Sequence, residues 1–304
     1  MINLKPLTFK MKQYIKLIRP KDWAKNLFIF IPVFFAGQIL NFDLVLELMG
    51  GFLCFSLVAS SIYIINDYRD IEEDSLHPVK QNRPLASGSV SKNAAILICI
   101  LFLITGFTIA WFIRDKFLFV LLIYFLLNLG YSFGLKNISI LDIFIIAVGF
   151  VLRVKAGSVI AFIPLSQWLI IMVFLLALFM AIAKRRDDVL IKLSSGTDMR
   201  KSVKGYNIDF INASLSLICA VIIVSYFMYT LSTEVMLRYT YRLYYTCLFV
   251  LAGVFRYLQL IFVQQNSQSP TKILYKDRFI QVTILLWVIS FYIIIYAKDI
   301  TIFN

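Results

Sequence analysis

Two stretches of this chain, Ala94–Ile113 and Leu165–Ala183, each run for about 20 residues without a charged side chain. In helical form, at about 1.5 Å per residue, such a run crosses a hydrocarbon core of about 30 Å. Apolar windows of similar length recur and predict about nine spans, at 26–41, 44–65, 94–113, 117–134, 140–162, 165–183, 210–231, 243–263 and 279–297. Composition agrees, because 61% of the residues are hydrophobic and mean hydropathy is +0.84, whereas a soluble domain carries roughly 45–50% apolar residues. The expectation is an all-α, polytopic membrane protein forming one transmembrane domain over residues 1–304. Cys54, Cys99, Cys219 and Cys247 lie inside apolar runs without CxxC spacing, so they read as small buried hydrophobes and imply neither a disulfide nor a zinc framework.

The formal charge of +13 would suggest nucleic acid in a soluble protein; in a membrane chain it marks the cytoplasmic side, and no nucleic-acid partner is expected. With the N-terminus inside, the inner segments hold 22 of the Lys and Arg residues and the outer segments five, Arg114, Lys116, Arg238, Arg242 and Lys298. Nine spans would leave the C-terminus outside. The first 25 residues are basic and lack a short apolar core, so a cleavable signal peptide is not expected. Trp23 reads as an interfacial belt residue, and Gln264–Lys272 as a short inner turn. Two inner loops, 66–93 and 184–209, are much longer than the others; parity puts both on one face, where they can build one site.

The first long loop opens with Asn66-Asp67-Tyr68-Arg69-Asp70-Ile71-Glu72-Glu73-Asp74. If the preceding helix continues through it, Asn66, Asp67, Asp70 and Asp74 fall within about 100° on one face. Three carboxylates and an amide on one face repel one another unless a cation sits among them, and all-oxygen ligands suit Mg²⁺ with a diphosphate as third party. A solvated acidic helix end is the bland alternative, but an acidic run is out of place in a loop that should favour Lys and Arg. Lys80 and Arg83 follow within His77-Pro78-Val79-Lys80-Gln81-Asn82-Arg83-Pro84-Leu85-Ala86-Ser87-Gly88 and suit phosphate oxygens, Arg83 as a planar fork and Lys80 as a point charge. His77, the one histidine of the chain, reads as a turn residue rather than a general base.

This N-D-x-x-D-x-x-x-D run followed by H-P-x-K-x-x-R-P-L-x-x-G resembles the first signature of the UbiA superfamily of intramembrane prenyltransferases. The resemblance implies a nine-helix bundle with a Mg²⁺-diphosphate site facing the cytoplasm. Members that prenylate aromatic rings carry a second motif, D-x-x-x-D, in the later loop. Here that loop reads Lys184-Arg185-Arg186-Asp187-Asp188-Val189-Leu190-Ile191-Lys192, so a lysine stands four residues after Asp188. Arg200, Lys201, Ser202, Lys204, Tyr206 and Asn207 follow. Excess cations suit a donor bearing phosphates beyond its diphosphate. The pattern is similar to the decaprenyl-phosphate phosphoribosyltransferase branch, with matches at Arg19-Pro20-x-x-Trp23-x-Lys25-Asn26, Leu152-Arg153 with Ala156-Gly157, Arg256-Tyr257 and Asp277-Arg278. That branch often has a Glu near position 188, and either Asp187 or Asp188 can fill the role here.

The resemblance implies transfer of the phosphoribosyl group from 5-phosphoribosyl 1-diphosphate to a polyprenyl phosphate. Asn66, Asp67, Asp70 and Asp74 would hold Mg²⁺, with Asp67, Asp70 and Asp74 carrying the catalysis. Substrate contacts would come from Lys25, Lys80, Arg83, Arg153, Lys184, Arg185, Asp188, Arg200, Ser202 and Tyr206. Arg153 shares a stripe of the fifth span with Asp142, Gly149 and Gly157, and an intramembrane arginine is a functional candidate by default; Lys155 points elsewhere and is expected to snorkel. Two competing readings are aromatic prenyl transfer, disfavoured by Lys192, and a transporter or lipid-binding protein, disfavoured by acids at a loop rather than at mid-membrane. An oligomer is compatible with the sequence.

Overall fold

The computed structural model describes residues 5–76, 80–195, 201–239, 241–263 and 276–296, and among these no strand occurs. The helices are α1 (Lys5–Ile18), α2 (Ile31–Phe35), α3 (Phe42–Arg69), α4 (Ile71–Ser75), α5 (Lys92–Ile113), α6 (Asp115–Ser132), α7 (Leu141–Ala161), α8 (Gln167–Ser195), α9 (Ile208–Thr230), α10 (Thr233–Tyr239), α11 (Cys247–Phe262) and α12 (Arg278–Tyr296), with a 3₁₀ stretch at Pro20–Phe30. Asn41, Ser91 and Asn207 start α3, α5 and α9 by accepting the backbone N–H groups of Leu44, Ala94 and Phe210.

Among the described residues seven helices are long and apolar enough to cross a membrane, the last of them covering Arg242–Phe262, and Arg278–Ile294 adds a shorter apolar one. The chain is therefore a multi-pass membrane protein, with seven such helices where nine spans were expected. The window 26–41 departs most from expectation. Pro20 opens the 3₁₀ stretch, Pro32 stands in the first turn of α2, and Gly37 turns the chain at φ 72°. Each proline lacks an N–H, so one continuous α-helix does not form there.

The described residues gather into two compact units. The first holds residues up to Leu135 together with Leu152–Pro164. Its core packs Ile29 and Val33 against Phe55, Val58, Phe117, Leu121, Ala156 and Ile160. Ser56, Ser60 and Ser61 of α3 are fully buried, and their hydroxyls bond carbonyls one turn back, at Phe52, Ser56 and Leu57. These small residues let the 3₁₀ stretch lie close, so that Trp23 donates its indole N–H to Ser60 at 3.0 Å. Trp23 is half-buried in this contact. On the other side of this stretch, a Cβ at Gly157 would overlap the Ile29 carbonyl, which is why glycine occupies that turn of α7.

The second unit holds Lys136–Val151 and everything from Leu165 onward. Its core joins Ile143 and Ala147 of α7 to Leu178, Phe179 and Ile182 of α8, Leu215 and Ile222 of α9, and Tyr257 and Leu260 of α11. Arg256 and Asp277 pair across the α11–α12 connection at 2.8 Å. The guanidinium hydrogen bonds, joined by the N–H of Ile280, hold the Asp277 carboxyl below the usual carboxylate range. All four cysteines are free and buried, as expected.

Candidate active site

In the first unit α3 ends at Arg69, Asp70 leaves helical geometry at φ −93°, ψ 10°, and the chain restarts as α4. The expected uninterrupted helix is therefore broken inside the acidic run. Asp67 and Asp74 nevertheless turn inward, each only 2% exposed, while Glu72 and Glu73 face outward. Asn66 donates its amide to Asp70 at 3.0 Å. The segment after α4 returns over these acids because Leu85 and Val90 are buried against Leu17, Ile64, Ala95 and Cys99. Lys16 adds a bond to the Asn82 carbonyl.

That return places Arg83 between the two buried carboxylates, 2.6 Å from Asp74 and 3.0 Å from Asp67. Lys80 stands 3.9 Å from Asp74. Arg19 approaches from the opposite side and grips both oxygens of Asp67, at 2.6 and 2.7 Å, with its guanidinium 4.9 Å from the centre of the Tyr63 ring. Arg19 itself occupies left-handed backbone at φ 55°, a conformation that costs an L-residue about 1–2 kcal/mol. Burial pushes the Asp74 carboxyl up, against the pull of Arg83 and Lys80. Among the described residues no three acids converge on one point as a metal cluster. The donor set is nonetheless all oxygen, and one cation, Arg83, already holds together two carboxylates that a metal ion would share. The residues fit a hard divalent ion.

Arg153, 6% exposed, lies deeper in the same unit. It donates to the Asn26 side chain and to the Tyr124 hydroxyl, both at 2.8 Å, and Asn26 is braced in turn by Ser56 at 3.0 Å. The guanidinium lies 4.7 Å from the centre of the Tyr124 ring. Lys25 pairs with Asp22 at 2.6 Å and lies 6.0 Å from the centre of the Tyr63 ring. Lys155 is exposed.

In the second unit Arg185 is 1% exposed and lies 2.8 Å from Asp142, which is fully buried. Arg185 also bonds Asp188. Ser202 and Tyr206 donate their hydroxyls to Asp142 at 3.1 and 2.7 Å; burial and this hydrogen bond push the Tyr206 phenol up. Arg186 turns the other way, to Asn212 at 3.1 Å and the Ile261 carbonyl at 3.3 Å. Lys184 is exposed. Arg200 and His77 lie outside the described residues.

The structure therefore gathers Asp67, Asp74, Lys80 and Arg83 in one cluster and Arg185, Asp188, Ser202 and Tyr206 in another. The sequence reading did not assign Arg19, which joins the first cluster, Asp142, which joins the second, or Asn26 and Tyr124, which bond Arg153. Arg19 and Asn26 stood beside Lys25 in a quoted stretch, and Asp142 shared a helix face with Arg153; Tyr124, one aromatic among many, carried no signal.

Residues 26–288 match the UbiA prenyltransferase family, most of the chain. The chain belongs to the UbiA prenyltransferase family. This UbiA member is accordingly an enzyme, a membrane-embedded transferase, and the transporter reading falls away. The decaprenyl-phosphate phosphoribosyltransferase of Mycolicibacterium smegmatis is 35% identical to it over 224 residues, 72% of this chain and 70% of that protein. The protein of the same name from Corynebacterium glutamicum is 33% identical over 216 residues, 70% of this chain and 65% of that one. In fold, a UbiA homolog from Archaeoglobus fulgidus solved with GPP and Mg²⁺ matches with a TM-score of 0.69, at 22% identity, over 93% of this chain and 99% of that one.

Proposed function

We propose that this UbiA-family enzyme moves the 5-phosphoribosyl group from 5-phosphoribosyl 1-diphosphate to a polyprenyl phosphate at the cytoplasmic membrane face, releasing diphosphate. The observation that carries this reading is the charge state of the second cluster. Asp188 is bonded to Arg185, and Lys192 stands where the aromatic prenyltransferase motif has its second acid. The later loop thus offers cations to a donor with a further phosphate, rather than a second pair of free carboxylates. Similarity to the two phosphoribosyltransferases supports the same donor.

In this reading Asn66, Asp67, Asp70 and Asp74 would hold Mg²⁺, which supplies charge neutralisation to the departing diphosphate. Lys80 and Arg83 bind diphosphate oxygens, Arg83 leaving its two carboxylates to do so. Lys184, Arg185, Asp188, Arg200, Ser202 and Tyr206 form the group assigned to the ribose 5-phosphate. Lys25 and Arg153 steer the acceptor phosphate. One of its oxygens forms a bond to the anomeric carbon while the bond from that carbon to the diphosphate breaks. The acceptor is already anionic, so no strong general base is needed. The excess of basic residues in the acid-bearing loops supports an inner position for those loops and for the N-terminus.

Purified enzyme in lipid nanodiscs, given Mg²⁺ and each donor with its acceptor, tests the proposal through released diphosphate. Release is expected from the ribosyl donor with decaprenyl phosphate, and is expected to stop on chelation of the metal. Asp67→Ala and Asp70→Ala should each lower it by about 100-fold or more. Release from a polyprenyl diphosphate with an aromatic acid, and none from the ribosyl donor, would establish aromatic prenyl transfer instead.

A further inference from the structure

The strongest polar construction outside the acidic loop is centred on Asp142, the second residue of α7. Its side chain is fully buried. Two stretches of chain distant in sequence converge on it: Arg185 of α8, whose Nε lies 2.8 Å from Oδ2, and the 3₁₀ turn after α8, which sends the Ser202 hydroxyl to Oδ2 at 3.1 Å and the Tyr206 hydroxyl to Oδ1 at 2.7 Å. The residues just before Asp142 are tied to the same turn. Ser139 donates to the Ser202 carbonyl at 2.7 Å, and the Ile140 N–H donates to the Tyr206 oxygen at 2.5 Å. A Cβ at Gly205 would run into the Ser139 side chain, so the turn approaches α7 as closely as its backbone permits.

Ile140 has φ 71°. A β-branched residue enters the left-handed region only when its surroundings hold it there. Here the restraint is visible: the bonds from Ser139 and Ile140 to the 202–206 turn clamp both sides of the strained peptide. The phenol of Tyr206 accepts from Ile140 and donates to Asp142, and Ser202 donates to the same carboxylate. Both side chains are thereby committed to protein partners.

We propose that Asp142 is a positioning residue that latches the 201–206 turn onto the start of α7 and fixes the guanidinium of Arg185, and through it Asp188, in the orientation used to hold the donor. Ser202 and Tyr206 then serve the latch and do not touch substrate. This inference rests on the assignment of the second cluster to the donor, and it revises that assignment for these two residues.

The test uses full-length enzyme in nanodiscs, with Tyr206→Phe as the conservative variant and Asp142→Asn as the severe one. Hydrogen–deuterium exchange is followed over 138–143 and 201–207, and KM is measured separately for donor and acceptor. Both variants are expected to speed exchange in the two segments, and to raise the donor KM about tenfold while the acceptor KM moves less than about twofold. Unchanged exchange in Tyr206→Phe overturns the latch. Faster exchange with both KM values unmoved, or moved alike, overturns the positioning role. The exchange arm needs no substrate, and the kinetic arm uses whichever donor the wild type cleaves, so failure of ribosyl transfer is read separately from failure of the latch.

Discussion

Arg19 concentrates the physical problem of the first cluster in one side chain. Asp67 is buried at the end of an apolar helix, where an isolated carboxylate would be expelled or protonated. Arg19 meets it with one terminal nitrogen, Nη2, seated between both carboxylate oxygens, and accepts left-handed backbone to do so. Lysine is shorter and lacks the flat guanidinium that also lies 4.9 Å from the centre of the Tyr63 ring. Arg19→Lys is therefore expected to lower stability by about 1.5–3 kcal/mol, the range for losing a hydrogen bond to a charged group, measurable as a lower unfolding temperature in detergent. If Arg19→Lys melts with the wild type, the grip on Asp67 is not a stabilising contact. Arg83 is the contrasting case, since in the proposed function both of its carboxylate partners are assigned to the metal and its role would change when donor binds.

At the scale of elements, the close approach of the 3₁₀ stretch to α7 sets where Asn26 meets Arg153. Gly157 permits that approach, because any side chain there meets the Ile29 carbonyl, a backbone group that cannot turn aside. Gly157→Ala should destabilise the first unit by about 1–3 kcal/mol, as overpacking does, and weaken acceptor use through displacement of Asn26. Gly253→Ala is the control: its Cβ would lie 3.7 Å from Thr283, an ordinary contact, and should alter stability by no more than about 0.5 kcal/mol. Thermal unfolding of both variants decides the matter, and equal melting would show that the approach tolerates a methyl group. The window 26–41 also shows where pattern reading stops. Its apolar residues have the density of a span, but two prolines and a glycine turn direct it into a packed 3₁₀ segment.

For the molecule as a whole, the charge asymmetry gives the orientation in the bilayer a sign. In a background with the four buried cysteines replaced, Gln81→Cys should react with an impermeant thiol reagent only from the cytoplasmic side, and Lys116→Cys only from the opposite side. Both native residues are exposed, and they lie at opposite ends of the first unit, beyond α3 and at the start of α6. Labelling of both from one side would refute the assigned topology.

Much of this enzyme was legible in its sequence for one reason: lipid imposes a length and a polarity on every segment that crosses it. The runs that became α5, α8 and α9, the acidic loop that follows α3, and the lysine at 192 all express local chemistry, which order along the chain records directly. Tertiary structure decided the rest. Which cation holds which carboxylate depends on distant segments meeting: Arg19 with Asp67, Asn26 with Arg153, and Tyr206 with Asp142. Hydrogen-bond partners are selected by directions and distances of a few ångströms that periodicity does not encode. The role proposed for Asp142 therefore depends on the turn at 201–206 closing over it.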